Sequence, residues 1–305
     1  MNKKQIFRGV ATALITPFKN GEIDYDALGR LIEYQIANKV DALVIGGTTA
    51  EISTLSTEER YRLYAFAKEK IDSRTRLILG TGTNDTRATL SHSKFAEKIG
   101  CDGLLLVTPY YNKGTELGIE KHYLSIAESV NLPIIVYNVP SRTGVNLEIT
   151  LLERLANHPN IIGIKEASDS ADRLISLATL EDKLSLYAGN DSQIYPVLAL
   201  GGKGVISVVS NILPKETKDI CSSYFDNNPN SSLNIQLKLL PLIKALFIET
   251  NPAPIKYAMW LRGLCSAELR LPLCEPKDST KIEIEKALCL LKSPSEPDFS
   301  QSDSD

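Results

Sequence analysis

Short apolar runs rich in β-branched residues recur along the chain, separated by stretches whose apolar residues return every three or four positions. Eight such runs stand out: "GVATALITPF", "ALVIGGTT", "RLILGTG", "GLLLVTPYY", "PIIVYNVP", "IIGIKEA", "LSLYAGND" and "GVISVVSN". Their near-continuous hydrophobicity predicts parallel strands covered on their outer side. Between them, segments such as "DALGRLIEYQIANK", "TEERYRLYAFAKEKI" and "ATLSHSKFAEKIG" have helical spacing, several opened by Ser, Thr or Asp and closed by Gly, Asn or Asp. Strands alternating with helices up to residue 210 predict an α/β fold, a closed (β/α)8 TIM barrel. The alternative is an open doubly wound sheet. It calls for a GxGxxG turn after the first strand, and "ITPFKNG" supplies none.

Beyond residue 210 the runs "LNIQLKLLPLIKALFIE" and "PIKYAMWLRGL" read as helices with no strand between them, a C-terminal helical extension. The predicted division is a catalytic barrel over 1–225, a helical segment over 226–292 and an acidic tail over 293–305. The tail, "SPSEPDFSQSDSD", has four acids, no base and one large apolar residue, a composition that predicts disorder.

Composition narrows the function. The 305 residues are 43% hydrophobic and 23% charged, in the range of soluble globular proteins. No apolar run approaches the roughly 20 residues that span a bilayer, and "MNKKQIFRGV" lacks the apolar stretch of a signal peptide, so a cytoplasmic location is expected. The 34 basic and 37 acidic residues are interspersed, leaving no basic stripe for nucleic acid. A small-molecule partner is expected instead. Five cysteines with no CxxC spacing predict neither a disulfide framework nor a zinc site, but reduced, mostly buried thiols.

Candidate chemistry gathers at the strand ends. In "NIIGIKEASDS", alternation places Ile161, Gly163 and Lys165 on one side and Ile162, Ile164 and Glu166 on the other. With the isoleucines facing the helices, Lys165 points into the barrel at its C-terminal end, where catalytic groups collect. Burial disfavours the charged form of a lysine, and a neutral amine is a nucleophile toward carbonyls. The alternative is a structural lysine whose ammonium reaches water beside Glu166. In the fifth strand the same alternation turns Ile135 and Tyr137 inward, so a phenol can approach Lys165. The glycines and paired threonines of "VIGGTTAE" offer backbone N–H groups and two hydroxyls to a carboxylate, or form only a tight turn. Tyr110 and Tyr111 follow the fourth strand and Arg142 the fifth; arginine can grip a carboxylate through two parallel hydrogen bonds.

The segments "GGTTAE", "VTPYYN", "YNVPSRTG", "GIKEAS", "AGND" and "GGKGVISV" resemble, in order and spacing, those of the dihydrodipicolinate synthase family, over about residues 5 to 290. The wider group of pyruvate-type class I lyases shares the fold, the lysine and the tyrosine. The arginine of "PSRTG" and the double tyrosine of "TPYYN" favour this branch. The resemblance implies that Lys165 forms a Schiff base with pyruvate, whose enamine attacks aspartate 4-semialdehyde, with no metal or cofactor required. It implies that Tyr137 shuttles protons through Thr48 to Tyr111, the latter supplied by an adjacent subunit. Thr48 and Thr49 would hold the pyruvate carboxylate beside Gly189 and the Ile206 carbonyl, and Arg142 would bind the carboxylate of the semialdehyde. The implied assembly is a homotetramer, a dimer of dimers, and the implied pathway leads through diaminopimelate to lysine.

Two departures from the family pattern stand out. Ala50 replaces a glycine in "GTTAE", which is nearly silent if the position has ordinary φ and costs about 1 kcal/mol or more if φ is positive. The positions matching the family's lysine-binding site are Thr57, Arg60 and Ala88, with Asn84 and Tyr110 retained, so weak or absent feedback inhibition by lysine is expected. Competing readings are a lyase or aldolase for a sugar-derived keto acid, which would need hydroxyl-binding groups in place of Arg142, and a non-catalytic keto-acid-binding paralogue. A phosphate site at "GGKG" is disfavoured because the motif precedes its strand, at the wrong end of the barrel.

Overall fold

A computed structural model of the chain describes residues 5–291; the predicted acidic tail lies outside the described residues. Eight parallel strands close into a barrel in chain order: β1 (Gly9–Ala13), β2 (Ala42–Ile45), β3 (Arg76–Gly80), β4 (Gly103–Val107), β5 (Ile134–Asn138), β6 (Ile161–Glu166), β7 (Ser185–Ala188) and β8 (Gly204–Ser207). Closure comes from β1 pairing with both β8 and β2. Each strand coincides with one of the eight apolar runs. Helices cover the outer face, and their starts obey local chemistry. Asp24, Ser56, Asp85, Thr115 and Ser170 each accept a hydrogen bond from a backbone N–H of the first turn, and Ser56 with Glu59 forms a reciprocal capping box.

Two apolar cores result. The larger lies between barrel and helices, while a smaller one fills the barrel interior with Ala11, Ala42, Val44, Ile135, Tyr137 and Ile206 among others. Phe7, just before β1, closes the lower end: its ring stacks on Tyr187 at 4.4 Å, and the Tyr187 hydroxyl donates to the Phe7 carbonyl at 2.8 Å. With the floor sealed, the opening left for a ligand is the C-terminal rim.

The simple alternation assigned to β6 needs a correction. Ile134 pairs with Ile161 but Ile135 pairs with Gly163, so Ile162 is an extra residue in the ladder. Ile161 therefore packs in the outer core with Ile164 instead of sharing the inward side with Gly163. Alternation resumes at Gly163, and Lys165 keeps its place beside Tyr137. The expectation of mostly buried thiols also needs a correction, since cysteines in the C-terminal segment lie at the surface. Cys101 and Cys221 are buried, but Cys265 is half-buried and Cys274 and Cys289 are exposed, all of them free.

After β8, helices Pro214–Phe225, Pro229–Ala245, Ala253–Leu261 and Asp278–Leu291 complete the described chain without further strands. A small hairpin, Phe18–Lys19 with Glu22–Ile23, had not been anticipated. Its signal was the dipeptide Asn20–Gly21, both residues at positive φ, the requirement of the tight turn that joins twisted strands. The hairpin tip docks on the C-terminal segment: the backbone N–H groups of Asn20 and Gly21 donate to Glu268, and Arg270 donates to the Gly21 carbonyl. Among the described residues, no helix is long and apolar enough to cross a membrane.

Candidate active site

Lys165 and Tyr137 are register partners at the C-terminal ends of β6 and β5. Both are buried, 5% and 6% exposed, and the Lys165 Nζ lies 4.2 Å from the centroid of the Tyr137 ring. The backbone N–H and the hydroxyl of Thr108 both donate to the Tyr137 carbonyl at 3.0 Å, which fixes the strand end that bears the phenol.

On the opposite face of the same strand ends sits a polar clamp. Asn138 Nδ2 donates to both carboxylate oxygens of Glu166, at 2.9 and 3.0 Å, and Arg173 Nε donates to Glu166 at 2.8 Å. The Ser168 backbone N–H adds a further bond to Glu166. Glu166 is fully buried, and these four donor contacts compensate the loss of water that burial imposes on its charge. Lys165 thus does not share its neighbour's partner. Glu166 faces outward to Arg173, while Lys165 faces the barrel interior.

The loop after β2 forms a tight turn, Thr48–Ala50, entered through Gly46 at φ +75°. A Cβ at Gly46 would lie 2.6 Å from the Tyr64 ring, so both space and conformation require glycine there. Ala50 is not among the residues at positive φ, which makes its replacement of glycine conformationally silent. Thr48 is half-buried and Thr49 buried. Glu51, at φ +52°, closes the turn with a buried carboxylate that pairs with Lys256 and accepts the Arg270 N–H at 3.0 Å. Desolvation lowers the pKa of Lys256, against the opposing pull of Glu51.

Other predicted residues fall around this rim. Ile206 is buried in the barrel interior on β8, and Gly189 follows β7 with its N–H bonded to the Glu166 carbonyl. Arg142, exposed in the short helix Pro140–Thr143, donates to the Asn251 carbonyl at 2.9 Å. Tyr111 stands apart: it has φ +70° and is 88% exposed, so this chain alone does not bring it against Lys165.

Three buried polar residues near the rim escaped the sequence reading. Asp191, inside the "AGND" segment, accepts the N–H groups of Val208 and Val209 at 3.0 and 2.8 Å. Burial raises its pKa, while hydrogen bonds and the nearby Lys165 charge oppose that rise. Asn251 and Lys256 come from the C-terminal extension, where helical periodicity says nothing of a polar residue's distant partner.

Comparison with known proteins identifies the family. The model of the Dihydrodipicolinate synthetase family matches residues 6–290. The chain belongs to this family. A 4-hydroxy-tetrahydrodipicolinate synthase from Clostridium perfringens is 46% identical over 284 residues, 93% of this chain and 98% of the relative. One from Thermotoga neapolitana is 47% identical over 280 residues, 90% of this chain and 95% of the relative. The crystal structure of dihydrodipicolinate synthase from Thermotoga maritima superposes with a TM-score of 0.91 at 44% identity, covering 93% of this chain and 98% of that one. A monomeric dihydrodipicolinate synthase variant matches equally well, at TM-score 0.91. As a dihydrodipicolinate synthetase family member the chain is an enzyme, a lyase of diaminopimelate and lysine biosynthesis.

Proposed function

We propose that the chain condenses pyruvate with aspartate 4-semialdehyde, with Lys165 as the covalent catalyst. The observation that carries this is a buried amine and a buried phenol in register at the barrel rim, Nζ 4.2 Å from the ring centroid. The Lys165 amine adds to the ketone carbon of pyruvate and water leaves, giving an imine. Loss of a methyl proton gives an enamine, whose carbon attacks the aldehyde while the aldehyde oxygen takes up a proton. The amine of the second substrate then displaces Lys165 from the imine carbon, which closes the ring and frees the enzyme.

In this reading Tyr137 carries the protons, relayed through Thr48 to Tyr111 of a second copy, consistent with the exposure of Tyr111 in the single chain. Thr48 and Thr49 hold the pyruvate carboxylate, with Gly189 and the Ile206 carbonyl lining the same pocket. Arg142 takes the carboxylate of the semialdehyde. The working assembly is a homotetramer of two tight dimers in the cytoplasm. The segment from residue 226 acts as an extension of the barrel, since its Lys256 and Arg270 grip the loop at Glu51.

Borohydride trapping tests the reading. Incubation with pyruvate and borohydride should reduce the imine and add the pyruvate-derived group to Lys165, located by peptide mass mapping, and Lys165→Ala should lose both adduct and turnover. Full activity in Lys165→Ala would refute the assignment. With pyruvate held constant, aspartate 4-semialdehyde should be used in preference to N-acetylmannosamine or glyceraldehyde. Preference for a sugar aldehyde would keep the lysine chemistry and move the substrate assignment.

A further inference from the structure

Asn251 lies between the helices Pro229–Ala245 and Ala253–Leu261, far from every strand end in sequence, yet it touches two of the proposed carboxylate ligands. The residue is 5% exposed; its Nδ2 donates to the Thr49 hydroxyl oxygen at 3.0 Å, and its buried Oδ1 has no hydrogen-bond partner among the described residues. Its backbone carbonyl accepts the Arg142 Nη2 at 2.9 Å. An amide NH2 can only donate, so the Thr49 hydroxyl is the acceptor in this bond and its own hydrogen remains available to another acceptor. A hydroxyl held in that polarity is a ready donor to an anion. The second contact restrains an exposed arginine that would otherwise lose side-chain entropy on gripping a ligand.

We propose that Asn251 is a positioning residue for both substrate sites: its amide orients the Thr49 hydroxyl as a donor to the pyruvate carboxylate, and its carbonyl steadies Arg142. This rests on the reading of Thr49 and Arg142 given above. The two contacts are separable, because a side-chain substitution removes the first and leaves the backbone carbonyl in place.

The test is Asn251→Asp, nearly equal in shape but able only to accept when ionised, which forces the Thr49 hydroxyl to donate to it. The pyruvate KM should rise about tenfold or more, the fold-change of one hydrogen bond to a charged group. The semialdehyde KM should change far less. Added charge alone could also repel pyruvate, so Thr49→Val and the double variant complete the cycle. Thr49→Val should raise the pyruvate KM similarly, and the double variant should be little worse than either single one. A residue that merely supports the fold would lower Tm and kcat without this KM split.

An unchanged pyruvate KM in Asn251→Asp, an equal rise for both substrates, or additive effects in the cycle would overturn the proposal. If Asn251→Asp does not fold, Thr49→Val decides alone, an unchanged pyruvate KM being fatal. Borohydride trapping separates the two levels. Failure of the unmodified protein to trap pyruvate would remove the functional reading and this proposal together. Trapping in the unmodified protein and Asn251→Asp alike, with equal pyruvate KM, would remove the proposal only.

Discussion

Replacing Lys256 by methionine should destabilise the protein more than replacing Lys256 and Glu51 together. Both side chains are fully buried and paired, and the Lys256 Nζ also donates to the Glu268 carbonyl at 2.8 Å while lying 4.1 Å from the Phe18 ring centroid. Methionine fills much of the lysine stem's volume but leaves the Glu51 carboxylate with the Arg270 N–H at 3.0 Å and no cation in contact. Stranding one member of a buried pair costs about 3–5 kcal/mol, whereas replacing both by neutral groups is far cheaper because neither desolvation penalty remains. If each kcal/mol moves the midpoint of a chain this size by roughly 2–3 °C, Lys256→Met should lower Tm by about 6–15 °C. Lys256→Met/Glu51→Gln should recover at least half of that loss, since glutamine can still accept from Arg270. The assay is thermal unfolding of the three proteins side by side at one concentration and pH. Equal losses in the single and double variants would refute the reasoning, since the cost would then come from lost packing instead of an unpaired charge. Because Glu51 ends the Thr48–Ala50 turn, Lys256→Met should also raise the pyruvate KM.

Three further outcomes are expected. Gly189→Ala would set a Cβ 2.6 Å from the Glu166 carbonyl and 2.7 Å from the Ala167 Cβ, forcing β6 and β7 apart beside Lys165. Turnover should fall about tenfold or more with roughly 1–3 kcal/mol of stability, and an unaltered kcat would contradict the close packing inferred there. His122 is buried with its Nδ1 2.9 Å from the Thr86 hydroxyl, and desolvation lowers its pKa to about 4. The unfolded imidazole takes up a proton near pH 6.5 and the folded one does not, so the stability it contributes is complete above that pH and is lost as pH falls toward 4. The loss should be about 1–2 kcal/mol by pH 5, and His122→Gln should reduce, without abolishing, the pH dependence of Tm between pH 7 and 5, since burial lowers His92 to about 4 as well. Lysine should inhibit weakly or not at all, because Thr57, Arg60 and Ala88 offer its ammonium groups no carboxylate; a steep sub-millimolar inhibition curve would count against this.

The parts of the site legible in the sequence are those governed by strand periodicity. A barrel strand must alternate between two buried environments, so a lysine or tyrosine on the inward side of a strand end betrays its direction. Lys165 and Tyr137 are legible in that way, each at the end of an apolar run, whereas Ile206 follows only from the family resemblance. The same rule misplaced Ile161 because the extra residue in the ladder between β5 and β6 breaks the count; its marker in "NIIGIKEA" is Gly163, a glycine inside a strand and directly after the extra residue.

What periodicity could not reveal is how the site is held. Asn251 meets Thr49 across 202 residues of sequence, and Glu51 meets the Arg270 N–H across 219. A buried polar group must be paired, but the need for a partner does not name it. Hydrophobic pattern therefore locates the proposed reacting side chains, while the hydrogen-bond requirement of the loop beside them recruits the C-terminal extension. That division has a physical consequence. The strand-borne amine and phenol are positioned by a closed ladder of backbone bonds and should tolerate changes in the extension, whereas the Thr48–Ala50 turn relies on Asn251, Lys256 and Arg270 for its geometry. Perturbing the extension should accordingly alter the affinity for pyruvate before it alters the capacity of Lys165 to form an imine at saturating pyruvate.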